Sequence, residues 1–440
     1  MRKKKKITPK DILVQLCDTK IIARRGAQLY CREDEFWKPV STEYASAFLR
    51  GKMTEEDAFE ISTNTVKEVV QRVRQLERFE ISVDKLAPDH LLRCKNGAVD
   101  LMTGKLETDV TGEFLYCNSF DYIPEATLRM APEFERFCDT SLEKDKEKIR
   151  LLLQIIGYCI SELQIVKVGF FLIGEANSGK SLILELVQSV VGDDYVTNIA
   201  FDKLGNRFNK SRLALSRVNI CTELAGGKMK DIDFFKLVTA HERVTADNKG
   251  EAPFEFRVRT KLLTAGNVMP EIPEITGAEA LLHRMIILRF NSSISPEKQD
   301  KMLLEKLLKE KDVIFSLAVN ELVMLEKNGF SFAEPEDSKA FKAVIKDSVN
   351  SVEKFVEEMC ILSPDGKVHL RDLWGEYLKY CDENGLEVKI KVTQFVQKIL
   401  CFKGVTRGKF RLHSKPLSGF RGIEMNAREH WNIGTKEQEE

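Results

Sequence analysis

The eight residues Gly174, Glu175, Ala176, Asn177, Ser178, Gly179, Lys180 and Ser181 constrain this chain more than any other segment, because they fit the pattern GxxxxGK[ST] in the context that gives it chemical meaning. They follow the apolar run VGFFLI and open KSLILELVQSVV, whose apolar spacing predicts a helix. A strand that turns on glycines into a helix directs successive backbone N–H groups, and the positive end of the helix dipole, at one point in space. That geometry suits phosphates. Lys180 adds a charge for them and Ser181 a hydroxyl for a magnesium ion, so the ligands expected are ATP and Mg2+.

The surrounding sequence predicts the fold that such a loop requires. From Leu163 to Ser331, apolar β runs (VGFFLIG, VNICTE, KLLTAGN, RMIILRF) alternate with helices, one from Lys180 and one around Asp233 to Thr239. Alternation of this kind signals an α/β fold built on a covered, largely parallel sheet. A chain of 440 residues is too long for one core. The expected organisation is a small α+β region over 1–85, a helical domain over 86–162, a P-loop motor over 163–332 and a C-terminal domain over 333–430. The last of these reads as three helices (SVEKFVEEMC, HLRDLWGEYLKYC, TQFVQKILC) and two short strands, VTRGKFRLH and GFRGIEM, which suggests a winged helix. No stretch approaches the roughly 20 apolar residues needed to span a bilayer, so no membrane partner and a cytoplasmic location are expected. The ten cysteines are scattered with no CxxC pair, which argues against a zinc site or a disulfide framework.

Hydrolysis requires an acid to orient water, and Glu223, ending the run Val218 to Thr222, is the candidate. Alone it reads equally as a solvated strand end. It would also share the metal with Ser181, partly through water. Asn267 follows Gly266 at the end of KLLTAG; alone it is a turn residue, but beside the phosphates its amide would sense the γ-phosphate or position water. Between them, ERVTADNKGEAPFEFRV reads as a hairpin with Lys249 at its tip. That lysine is either part of a surface turn or, in a ring of subunits, one of a set facing nucleic acid in a pore. Arg284, just ahead of RMIILRF, is either a surface residue or a cation supplied across a subunit boundary to a neighbour's transition state.

The overall charge is zero, with 68 basic and 68 acidic residues, yet it is unevenly placed. From Leu386 to Arg428 ten basic residues face only Glu387 and Glu424. The segment reads either as an electrostatic footprint for phosphates, with Lys398, Arg407, Lys409 and Arg411 as the candidate DNA contacts, or as a solvated basic surface.

Taken in order, these motifs resemble the superfamily 3 helicases of the phage/plasmid and poxvirus-type primase-helicase family. KNGAVDLMTGKL at Lys95 to Leu106 looks like that family's region before the helicase. The resemblance implies an AAA+-like P-loop NTPase core with an α-rich N-terminal region and a C-terminal winged-helix domain. It also implies a homo-hexameric ring that hydrolyses ATP at subunit interfaces and translocates on single-stranded or forked DNA. Lys180 and Ser181 match the Walker A pair, Glu223 the Walker B acid, Asn267 the sensor, Lys249 the DNA-contacting lysine and Arg284 the arginine finger. Thr222, Thr239–Ala240–His241–Glu242 and His283 depart from the family's usual residues. The segment before Lys95 is too short for a primase and lacks an acidic cluster, so no primer synthesis is expected of this chain, and a separate primase is a candidate partner. The rival reading is an origin-binding initiator whose winged helix reads duplex DNA and whose ATP drives assembly; a small-molecule kinase fits less well, because no acceptor-binding element accompanies the loop.

Overall fold

The computed structural model describes residues 8–33, 36–224, 229, 232–247, 253–270, 272, 278–349, 351–386, 388, 390–411 and 416–426. The chain divides into two compact units, Met1–Glu271 with His283–Ser338, and Ile272–Leu282 with Lys339–Glu440.

At the centre of the first unit lies a five-stranded sheet, parallel throughout, in the order Met285–Phe290, Gly169–Gly174, Lys261–Gly266, Val218–Cys221, Val196–Thr197. This is the mixed α/β core that the alternating pattern predicts. The strands Gly169–Gly174, Val218–Cys221 and Lys261–Gly266 are buried at every position. Successive side chains of a strand point to opposite faces, so both faces are covered, which is why these runs are apolar without alternation. Ile173 pairs with Gly266, Thr264 with Cys221, and Gly174 with Phe290. The register therefore brings the C-terminal ends of four strands to one edge of the sheet.

Two elements before the sheet share its core. The helix Lys146–Ile160, capped by the Asp145 side chain, buries Leu151, Leu152, Ile155 and Ile156 together with Phe315 and Leu322 of the helix Lys311–Lys327. The strands Leu91–Cys94, Gly97–Asp100 and Lys105–Glu107 form an antiparallel sheet that sends Leu92, Val99 and Leu101 into the same core. Residues on both sides of Glu162 thus contribute to one apolar interior, and the segment expected to be helical begins with a β-sheet. Its tight turn, from Cys94 to Gly97, is held by Asn96, whose amide donates to the Tyr122 carbonyl at 3.0 Å and accepts from the Tyr122 N–H at 2.9 Å.

The N-terminal residues form a separate core in the same unit. The antiparallel strands Ile22–Arg25, Gln28–Glu33 and Phe36–Val40 pack Ile22, Leu29 and Val40 with Leu13, Leu16, Val66, Val69, Val70 and Val73 of flanking helices. Each helix start is marked by a hydroxyl cap, Thr8, Ser41, Thr54 or Ser62, satisfying an N–H of the first turn.

The second unit contains the helices Ser351–Met359, Leu370–Glu383 and Val392–Leu400. They surround Phe355, Tyr377 and Phe395, and Phe420 from a three-stranded sheet in the order Lys367–His369, Leu417–Arg421, Thr406–Phe410. Among the described residues no helix is long and apolar enough to cross a membrane.

Candidate nucleotide site

The turn between the strand Gly169–Gly174 and the helix Lys180–Val191 is shaped by two glycines. Gly174 lies so close to the neighbouring strand that an added Cβ would sit 1.8 Å from the Phe290 carbonyl oxygen. Gly179 has φ of +97°, which disfavours any side chain, and a Cβ there would meet the Phe137 ring at 2.7 Å and the Ser141 hydroxyl at 2.9 Å. Outside contacts hold the turn in shape. Glu175 N–H donates to the Phe290 carbonyl at 3.0 Å, the Ser293 hydroxyl to the Ala176 carbonyl at 2.9 Å, and Ile294 N–H to the Asn177 carbonyl at 3.0 Å.

Beyond Glu175 this clamp uses the turn's carbonyls and leaves its donors. Among the described residues, no group accepts from the backbone N–H of Ala176, Asn177, Ser178, Gly179, Lys180, Ser181 or Leu182. The Lys180 ammonium folds back over the turn and donates to the carbonyls of Gly174 (2.9 Å) and Glu175 (2.5 Å) and to Ser178 Oγ (3.1 Å). Burial holds its pKa below the ordinary lysine value, while Glu175 opposes that shift. A row of unspent N–H groups around a destabilised ammonium fits an anion. The exposed Ser181 hydroxyl, one residue further on, fits a cation held beside that anion.

The same sheet edge carries two more candidates. Glu223 is exposed just past Cys221, and the chain stays tied to the sheet there by Leu224 N–H, which donates to the Ala265 carbonyl at 2.9 Å. Asn267 is exposed immediately after Gly266. The strand leading to Glu223 lies two places from the loop strand, about 10 Å at the usual spacing. The fold therefore brings Lys180, Ser181, Asn267 and Glu223 to one edge.

Arg284 lies elsewhere. It precedes Met285, which pairs with Gly169, so it stands at the opposite edge of the sheet, about 17 Å from its own loop. There its guanidinium donates to the Lys236 carbonyl at 2.8 Å and to Thr239 Oγ1 at 3.2 Å, neutralising the end of the helix Ile232–Thr239. The antiparallel hairpin expected between Glu223 and Asn267 is present as Arg243–Ala246 paired with Phe254–Arg257; Lys249 at its tip lies outside the described residues.

In the second unit, Arg407, Lys409 and Arg411 are exposed at alternating positions along and just beyond the strand Thr406–Phe410. Lys398 is not a surface contact. Its side chain is buried against the helix Ser351–Met359 and pairs with Glu353 at 2.9 Å, so its charge is already neutralised. The sequence tally missed this because position 398 falls on the apolar face of its helix, between Phe395 and Ile399.

Some contributors were invisible in the sequence. Phe137 and Ser141 close against Gly179 from a helix some 40 residues earlier, and Ser293 and Ile294 clamp the loop from beyond the last strand. No motif announces them. A weaker signal existed for Lys261, a charge opening an otherwise apolar strand.

Comparison with known proteins gives two family matches. Residues 172–284 match a family of unknown function (DUF5906), a span that holds Lys180, Glu223, Asn267 and Arg284. Residues 10–143 match a family described as D5 N terminal like. Among solved structures, the chain is similar to the A form of the apo NrS-1 C terminal region at 12% identity, covering 95% of this chain and 100% of that one with a TM-score of 0.49. A second apo structure of the same region matches at 12% identity over 93% of this chain and 98% of the other, with a TM-score of 0.47.

Proposed function

We propose that this chain is an ATP-driven DNA helicase of phage or mobile-element replication, working as a ring of identical subunits. The observation that carries the reading is the row of unspent N–H groups from Ala176 to Leu182, on the same sheet edge as Lys180, Glu223 and Asn267. The D5 N terminal like match, a family tied to phage and viral primase-helicases, supports the replication setting.

In this reading the phosphates of ATP take the unspent N–H groups, and the Lys180 ammonium exchanges the Gly174 and Glu175 carbonyls for phosphate oxygens. Ser181 and Glu223 would hold Mg2+, which neutralises charge on the phosphate oxygens when bound. Glu223 orients the attacking water by accepting its hydrogen bond. Asn267 reports the state of the γ-phosphate through its amide. Arg284, remote from its own loop, serves the loop of the next subunit, which makes the site complete only in an assembly. The Lys249 hairpin contacts single-stranded DNA in the pore.

The exposed row Arg407, Lys409 and Arg411 favours a second reading, an initiator that binds duplex DNA through a winged helix without sustained unwinding. Steady-state ATP hydrolysis with and without single-stranded DNA tests the proposal. Hydrolysis stimulated by the strand and reduced at least about a hundredfold in Glu223→Gln supports it. Hydrolysis unmoved by Glu223→Gln would remove the motor assignment, and hydrolysis indifferent to single strands would favour the initiator.

A further inference from the structure

At the sheet edge away from the nucleotide loop, three cations converge on a small cavity. Arg217 precedes the strand Val218–Cys221, Lys261 begins the strand Lys261–Gly266, and Arg259 stands two residues before it. Arg217 and Lys261 are buried, and Arg259 is largely so. Their acidic partners are Glu162, which ion-pairs with Arg217 and reaches Arg259 at 3.3 Å, and the exposed Asp89, 3.6 Å from Arg259. Three basic side chains face two carboxylates, and several donors are unspent. Arg217 stacks 3.3 Å from the Tyr116 ring, yet among the described residues its buried Nε has no acceptor; neither has the buried Nε of Arg259 nor the amide nitrogen of Gln164. Among the described residues the Lys261 ammonium donates to the Ser161 carbonyl and faces the Tyr158 ring at 5.4 Å, with two further protons to offer.

Arg217, Arg259, Lys261 and Gln164 line one cavity of about 50 Å³, together with Glu162, Tyr30 and Tyr195. A buried charge needs a partner, and a buried donor without an acceptor is destabilising by about 1–3 kcal/mol. Burial first, and then the Arg217 charge, push the Lys261 pKa down to about 7, and an anion bound beside it would favour the protonated amine. Burial disfavours ionised Glu162, yet Arg217, Arg259 and Lys261 hold its pKa down at about 2, which leaves it no capacity to supply more.

We infer that this cavity is a binding site for one free tetrahedral oxyanion of the phosphate class, held by Arg217, Arg259, Lys261 and Gln164. Its volume accommodates such an ion or a few waters, but not a nucleoside. The site joins the N-terminal sheet, through Tyr30, to the starts of two central strands, so the bound ion ties the N-terminal region to the motor sheet. It is separate from the nucleotide loop and stands on different residues.

The test follows thermal unfolding of the full chain carrying Lys180→Ala, which removes the main charge of the loop, as inorganic phosphate is titrated at constant ionic strength. The expected result is a saturable rise in Tm, with phosphate affinity reduced at least about tenfold in Arg259→Gln and reduced as well in Gln164→Ala, which alters no charge. No saturable rise, or an equal rise in both variants, means the cavity holds only water and overturns the assignment. A 5′-phosphorylated dinucleotide is titrated alongside; a shift equal to that of phosphate would overturn the assignment to a free ion.

Discussion

Replacing Lys180 by Met separates what this residue does for the fold from what it does for phosphate chemistry. Without a ligand the ammonium makes three hydrogen bonds within its own turn, to the Gly174 and Glu175 carbonyls and Ser178 Oγ. Hydrogen bonds from a charged group contribute about 1.5–3 kcal/mol each at best. Against that stands the desolvation that already lowers the pKa of this lysine, a penalty that an apolar chain of similar length does not incur. The two terms oppose each other, and the net stability change should stay within about 1 kcal/mol, a Tm shift of about 2–4 °C. Catalysis has no such offset. Losing one preorganised cation at developing phosphate charge is worth about 3–4 kcal/mol, a fall of about a hundred- to a thousandfold in kcat. Calorimetric unfolding and ATP turnover on the same preparation supply both numbers. A folded Lys180→Met chain that turns over ATP within tenfold of wild type would refute the assignment of this loop.

Other perturbations follow from the same geometry. Arg284→Ala and Lys180→Ala should each abolish hydrolysis, whereas mixing them should restore a fraction, because Arg284 stands at the sheet edge opposite its own loop; no recovery on mixing would mean that it only caps the helix Ile232–Thr239. Replacing Arg407, Lys409 and Arg411 together by Ala should weaken DNA binding uniformly across sequences and flatten the log K against log salt slope by about 2–3, read by fluorescence anisotropy, whereas Lys398→Ala should instead destabilise the fold by leaving Glu353 without its partner. In phosphate-free buffer Lys261 keeps its proton in the folded chain only below about 7, but in the unfolded chain up to the ordinary 10.5. The unfolded state therefore binds the extra proton between those values, and stability rises with pH across that window. From pH 7 to 8.5 denaturant titration should show a gain on the order of 2 kcal/mol in wild type that is missing in Lys261→Met.

Where the sequence was legible, a local rule and the tertiary environment agreed. Gly174 to Ser181 could be read because the strand before it and the helix after it are both dictated by apolar spacing, and the parallel sheet followed from runs such as VGFFLIG that are buried on both faces. Lys398 misled because a charge count ignores helix phase: its position faces Phe395 and Ile399, and only Glu353 across the core makes that tolerable. The strands between Leu91 and Glu107 have only three or four residues each, too few to show a clear period in the sequence. The meeting of Glu162, Arg217, Arg259 and Lys261 was beyond any local reading, since nearly 100 residues separate the first from the last and only strand order brings them together.

Unwinding of a forked DNA by the full chain with ATP and Mg2+ tests the central claim most directly. Wild type should separate the strands, Lys180→Ala should lose both separation and hydrolysis, and Lys249→Ala should lose separation while hydrolysis continues. Hydrolysis and duplex binding by wild type without any strand separation would contradict the helicase reading and leave the initiator in its place.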